Sequence, residues 1–184
     1  MKKTWLIVIA VVAGLAIWLV SGYNGLVQLD ETTNNQLAQV QTQLQRRSDL
    51  IPNLVSTVKG YASHEQAAIQ AVSDARAKLG GAQTVEDMSK ADGELSNALS
   101  RLLMITENYP DLKADQNFRA LQDELAGTEN RIAVARKDYN GAVRAYNSKI
   151  RTFPTSIYAG MFGFDQKAYF QADDNAQTAP KVSF

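Results

Sequence analysis

Apolar residues recur at alternating steps of four and three from Leu26 onward. Positions 26, 30, 33, 37, 40, 44, 47, 51, 54, 58, 61, 65, 68, 72, 75 and 79 are apolar in twelve of sixteen cases. A period near 3.5 held this long predicts a helix with a coiled-coil-like seam. Gly80-Gly81 predicts its end. The stretch "RRSDLIPNLV" at 46–55 interrupts the seam with Arg46, Arg47, Asp49 and Pro52. The register passes Pro52 without a phase shift, so one continuous helix is expected. It should bend where the proline ring crowds the Ser48 carbonyl and an N–H is missing. The alternative makes Asp49 an N-cap with Pro52 in the first turn, which gives four antiparallel segments.

A second helix is expected from about Val85 to Asn108, capped by Thr84, with Val85, Met88, Leu95, Leu99 and Leu102 as its apolar stripe. "NYPD" ends it, because Pro110 disfavours helix at Tyr109. A third should run from about Asp115 to Phe153-Pro154. Its stripe is Phe118, Leu121, Leu125, Ile132, Ala135, Tyr139, Ala142 and Tyr146. No strand-like alternation appears, so the fold class is all-α. The continuous-helix reading makes helix one about 80 Å long and helix two less than half of that. The seam at Leu26, Leu37, Val40 and Leu44 would then lack a partner within the chain, which implies a homo-oligomer or a partner helix.

The N-terminus changes the picture. From Trp5 to Val20 there is no charged or strongly polar side chain, and ten of these sixteen residues are Leu, Ile or Val. Thr4 to Tyr23 as a helix spans about 30 Å, the hydrocarbon thickness of a bilayer. Trp5, Trp18 and Tyr23 stand near its ends, where amphipathic rings settle. A cleaved signal peptide fits less well, since Leu19 or Val20 would occupy the position that wants a small residue. Lys2 and Lys3 precede the run and Asp30 and Glu31 follow it, so the N-terminus is expected in the cytoplasm and the body outside. The chain thus divides into an anchor at 1–23, a bundle at 24–153 and a tail at 154–184. The expected whole is a transmembrane helix followed by an elongated antiparallel bundle of three to four long helices. From Phe153 onward come seven of the fifteen aromatics. They predict a short helix and an extended strip packed on the bundle, or a membrane-interface or partner contact.

Composition mainly excludes. There is no Cys, so disulfide and thiolate chemistry are absent. Setting aside Lys2 and Lys3 leaves 17 Lys and Arg against 19 Asp and Glu. A balanced body without a basic stripe argues against nucleic-acid binding. His64 is the single histidine, and without Cys it cannot complete a usual zinc site. No nucleophile elbow, zinc-protease motif or phosphate loop occurs, so no enzyme, metal or cofactor is expected. Two candidate constellations remain. Arg47 falls on the apolar seam beside Arg46, and a half-buried guanidinium needs a carboxylate. Glu107, Asp111 and Asp115 are the expected partners, in a clasp that ties the Pro52 bend to the acidic loop. Glu129, Arg136, Asn140 and Asn147 share roughly one face of helix three, as a register-fixing polar network or a ligand site.

The segments "QRRSDLIPNLVSTVKGYASHE", "ENYPDLKADQNFRALQDELAGTENRIAVARKDYN" and "AYNSKIRTFP" resemble the LemA family of bacterial membrane proteins. The likeness runs from about Asn24 to the final "VSF" and includes the upstream anchor. It implies a single-pass membrane protein with an elongated helical bundle and no established catalysis. It also implies association with membrane proteases or TPM-domain proteins, and so an envelope role. A structural, scaffolding or assembly function at the bacterial inner membrane is the expectation. The alternative is a sensor or a ligand- or peptide-binding helical domain.

Overall fold

The first helix, α1, runs unbroken from Lys2 to Tyr61 in a computed structural model that describes residues 2–171. It carries the apolar run, the seam and Pro52. Five more helices follow: α2 (Gln66–Gly81), α3 (Val85–Thr106), α4 (Pro110–Ala114), α5 (Gln116–Arg151) and α6 (Thr155–Tyr158). A 3-10 turn at Gly160–Phe162 and an extended strip to Gln171 complete the described chain, and no strand occurs among the described residues. Phe184 and the final "VSF" lie outside them. The chain forms two compact units. Of the described residues, one takes 2–37 and 138–167; the other takes 38–137 and 168–171.

The second unit is a four-segment antiparallel bundle. Its segments are the C-terminal part of α1, then α2, α3 and the first half of α5. Direction follows from the cross-contacts. Arg76 on α2 reaches Ser48 on α1, so α2 runs back along α1. Lys78 on α2 pairs with Glu94 on α3 at 2.6 Å, so the chain reverses again. Gly81 ends α2, Thr84 caps α3 by accepting from the Asp87 N–H at 3.1 Å, and Asp115 caps α5 by accepting from the Phe118 N–H at 2.9 Å. Ile51, Leu54, Val58, Val72, Leu95, Leu102, Leu112, Phe118 and Ile132 fill the interior.

The expected single helix to Gly80 is corrected. The helix is continuous through Pro52 but ends at Tyr61, and Ala62–Glu65 turn the chain into α2. Gly60, Ser63 and His64 are weak helix formers. The 3–4 pattern continues across this turn because both arms of the hairpin need an apolar face toward the same core. A four-segment bundle therefore coexists with an unbroken helix at Pro52. The Asp49 N-cap expected under the alternative reading does not form, since Asp49 lies inside α1.

The reversal also covers the seam. Leu44 is buried, and it lines one groove with Leu79 and Met88 from the returning helices. Val40 is buried and Leu37 half-buried. In the first unit Leu26 is fully buried with Tyr146, Ile150, Tyr158 and Ala159. The unpartnered seam expected at Leu26, Leu37, Val40 and Leu44 is thus satisfied within the chain. The cause is the early turn at residue 62 together with the length of α5. What stays uncovered is the N-terminal run, where every large apolar side chain from Trp5 to Val20 is exposed.

The proline has a specific accommodation. Pro52 cannot donate to the Ser48 carbonyl four residues back. Arg76 on α2 donates its Nε–H to that carbonyl at 3.0 Å. A buried acceptor left unmet costs about 1–3 kcal/mol. Arg76→Met should therefore lower stability by about 1–3 kcal/mol in urea unfolding of the detergent-solubilised chain. Adding Pro52→Ala should recover part of that loss by restoring the helical N–H. Strictly additive effects would refute this coupling.

Candidate functional site

Arg47 is the most enclosed charge on α1, with its side chain 5% exposed. It occupies a seam position, so helix periodicity drives it into the bundle. Asp92 on α3 stands in the Met88–Leu95–Leu99 stripe and is fully buried for the same reason. Their helices run in the same direction, and residue 92 comes opposite residue 47. Arg47 Nη1 donates to Asp92 Oδ1 at 3.1 Å and pairs with Glu129 Oε2 at 2.7 Å, while Nη2 donates to Ser96 Oγ at 3.0 Å. Arg136 closes the set by pairing with the other Asp92 oxygen. The guanidinium of Arg136 also lies 4.8 Å from the centroid of the Phe170 ring, a cation–π contact. Phe170 is itself buried, and the extended strip that carries it is held by Ser89 Oγ donating to the Gln171 carbonyl at 2.8 Å.

Two arginines face two carboxylates, so the cluster is formally neutral. Burial pushes the Arg136 pKa down to about 10, and the neighbouring charge of Arg47 adds to the shift. Burial lowers the Arg47 pKa too, against the opposing pull of Glu129. Both shifts state the same fact: desolvation disfavours the cations and the acids hold them. Glu129 and Arg136 reach the surface, with side chains 46% and 25% exposed, whereas Asp92 does not.

The expected clasp is corrected on its partners. Arg47 pairs with Asp92 and Glu129, and Arg46 pairs with Glu124 at 2.8 Å on the surface. Glu107 pairs with Lys113, Asp111 is exposed, and Asp115 accepts from the Tyr61 hydroxyl at 2.9 Å. Tyr61 lies fourteen residues past Arg47, about 21 Å along the helix. Because α1 ends at Tyr61, the acidic loop meets that end and not the arginines. A second tyrosine repeats the contact, Tyr109 donating to Glu65 at 2.9 Å. Pro52 is held through Ser48 and Arg76, apart from either arginine.

The expected polar face of α5 divides. Glu129 and Arg136 join one cluster through Arg47 and Asp92. Asn140 is partly buried and partnered. Asn147, in the first unit, holds the extended strip. Its Oδ1 accepts from the Lys167 N–H at 2.9 Å and its Nδ2 donates to the Lys167 carbonyl at 2.8 Å. His64 is exposed in the α1–α2 turn. Sequence reasoning missed Asp92, Ser96 and Arg76. Asp92 left a readable signal: an acid inside an apolar stripe, matching an arginine inside the apolar seam.

These features define a membrane-associated all-α protein with one exposed apolar N-terminal helix and a helical bundle. The chain belongs to the LemA family, which it matches over residues 36–184. It is 31% identical to magnetosome protein MamQ 2 of Paramagnetospirillum magneticum, over 89% of this chain and 70% of that protein. It is 28% identical to magnetosome protein MamQ of Magnetospirillum gryphiswaldense, over 89% and 71%. Protein LemA of Metamycoplasma hominis is 26% identical over 82% of this chain and 69% of the relative.

Removing Asp92 leaves two guanidinium groups against one acid. Asp92→Ala should cost about 3–5 kcal/mol of unfolding free energy. Arg46→Ala, at an exposed pair, should cost under about 1 kcal/mol. Similar small losses from both would contradict the assignment. Asp115 gives a pH test. The Phe118 N–H, then the Tyr61 hydroxyl, hold its pKa below the ordinary 3.8. Its contribution is complete above that value and disappears as pH falls through the lower folded-state value. Asp115→Asn keeps a capping side chain but cannot titrate. Its stability should therefore fall less on acidification below pH 3.8 than that of the wild type, and parallel acid limbs would count against the cap.

Proposed function

We propose that the protein is a single-pass scaffold of the bacterial cell envelope. The N-terminal helix crosses the inner membrane from the cytoplasm, and the helical bundle stands outside the cytoplasm as an assembly or docking element. The observation that supports this reading is the internal pairing of one charge cluster, whose Arg47 and Asp92 are buried. Arg47, Asp92, Glu129 and Arg136 neutralise one another and hold three helices in register. That is a structural use of Arg47, Glu129 and Arg136, which the sequence had singled out, together with Asp92, which it had not. Relatives named as magnetosome proteins favour a role in a cell structure over a small-molecule reaction. The orientation rests on Lys2 and Lys3 before the apolar run and Asp30 and Glu31 after it.

Two measurements test the proposal. Washing membranes at alkaline pH should leave the chain with the lipid, with Trp5 to Val20 still present by mass spectrometry. A reporter enzyme that works only in the cytoplasm, fused after Phe184, should be silent. An active fusion would reverse the orientation, and release of the chain by the wash would remove the anchor.

A further inference from the structure

The segment after α5 carries no charged residue from Thr152 to Phe164. Its inner side is well packed: Tyr158 and Ala159 are buried with Leu26, Tyr146 and Ile150. Its outer side is not. Phe153 is 77% exposed, Ile157 63% and Met161 82%. Ile157 belongs to the short helix α6 and Met161 to the 3-10 turn that follows it, while Phe153 stands just before α6, so one short segment carries three exposed large apolar side chains. A contiguous apolar surface of this kind marks a contact with something other than water.

Its position says what that is. The Tyr158 ring meets Trp18 edge-on at 6.0 Å between centroids, and a Cβ at Gly22 would collide with the Tyr158 hydroxyl. Tyr23 packs edge-on against Phe162 at 5.3 Å and Phe164 at 5.5 Å. Trp18 belongs to the apolar run, and Tyr23 ends the stretch long enough to cross a bilayer. The segment therefore sits beside the last turn and a half of the anchor, roughly 7 Å of helix rise. Interfacial helices bury their apolar face about 5–10 Å below the headgroups. Aromatic rings gather at that depth. The nearest charges in sequence are Lys149 and Arg151 before the segment and Asp165 after it, all exposed.

We propose that residues 153–162 are a second membrane contact: an uncharged wedge lying in the interface of the bilayer that α1 crosses. Phe153, Ile157 and Met161 enter the acyl boundary, and Lys149 and Arg151 extend toward the headgroups. The occupant is lipid because the wedge is continuous with the lipid-facing surface of the anchor itself. Gly22 permits this arrangement, since only a residue without a Cβ lets the Tyr158 hydroxyl approach α1 so closely. The inference rests on the anchored reading of α1.

The test uses the full chain, which has no native cysteine. Single variants Ile157→Cys, Met161→Cys, Val11→Cys and Asn35→Cys are labelled with a polarity-sensitive fluorophore. They are reconstituted into vesicles of phosphatidylcholine and phosphatidylglycerol. Labels at 157 and 161 should show blue-shifted emission and lose intensity to brominated lipids, as the label at 11 does. The label at 35, about 18 Å beyond Tyr23, should respond to aqueous iodide instead. If 157 and 161 follow 35 while 11 is quenched by lipid, the wedge is wrong and the anchor stands. If 11 also escapes lipid quenching, both fall together. Labels at 157 and 161 shielded from lipid and iodide alike would mean a protein covering, a second copy included, and would overturn the proposal.

Discussion

A guanidinium cannot be left alone inside a helical bundle, and Arg47 is inside this one. Placing it on the apolar face of α1 commits the other helices to answer it. Asp92 answers from α3 and Glu129 from α5, and Arg136 restores the balance that the second acid would otherwise upset. Burying the Arg47–Asp92 pair is an expensive way to fill a core, and apolar residues of the same volume would often do as well. What the charges add is discrimination among registers. A helix slipped by one residue would keep much of its greasy contact but would strand a buried charge.

The same demand for polar partners recurs at smaller scale. Pro52 frees one backbone carbonyl, and Arg76 meets it from the returning helix. Tyr61 and Tyr109 use their hydroxyls on Asp115 and Glu65, which links the α1–α2 turn to the acidic connection. In the first unit Asn147 uses both ends of its amide on the backbone of Lys167. Lys167 also pairs with Asp30 at 2.9 Å. These are the contacts that turn an amphipathic pattern into one arrangement, since apolar burial is not directional.

Much of the helical content was readable from periodicity, including the Thr84 cap, the Gly80-Gly81 stop and the passage through Pro52. The turn at Ala62–Glu65 was not readable that way. A 3–4 pattern records which side of a helix faces the core, and it cannot register a reversal that keeps both arms facing that core. That one hidden turn displaced three other inferences. It made helix one too long, left Leu26, Leu37, Val40 and Leu44 apparently uncovered, and sent the arginines to Glu107, Asp111 and Asp115. Arg47 was correctly read as needing an acid. The acid itself was visible as Asp92 in an apolar stripe, but only the observed fold brings residue 92 opposite residue 47. Gly22 shows a different limit. Its role depends on Tyr158, far along the chain, and no local pattern announces that approach.

The bundle tolerates Arg47 because Asp92 compensates it. Urea unfolding of Arg47→Met, Asp92→Leu and the double variant, in the same detergent, measures this dependence. Each single change leaves the cluster with one uncompensated charge, whereas the double change leaves one acid, Glu129, and one cation, Arg136, both partly exposed. The double variant should be more stable than the sum of the single losses implies, with a coupling of about 1–3 kcal/mol. Losses that simply add would show that the two charges do not depend on each other and that Asp92 is not what holds Arg47 in the core.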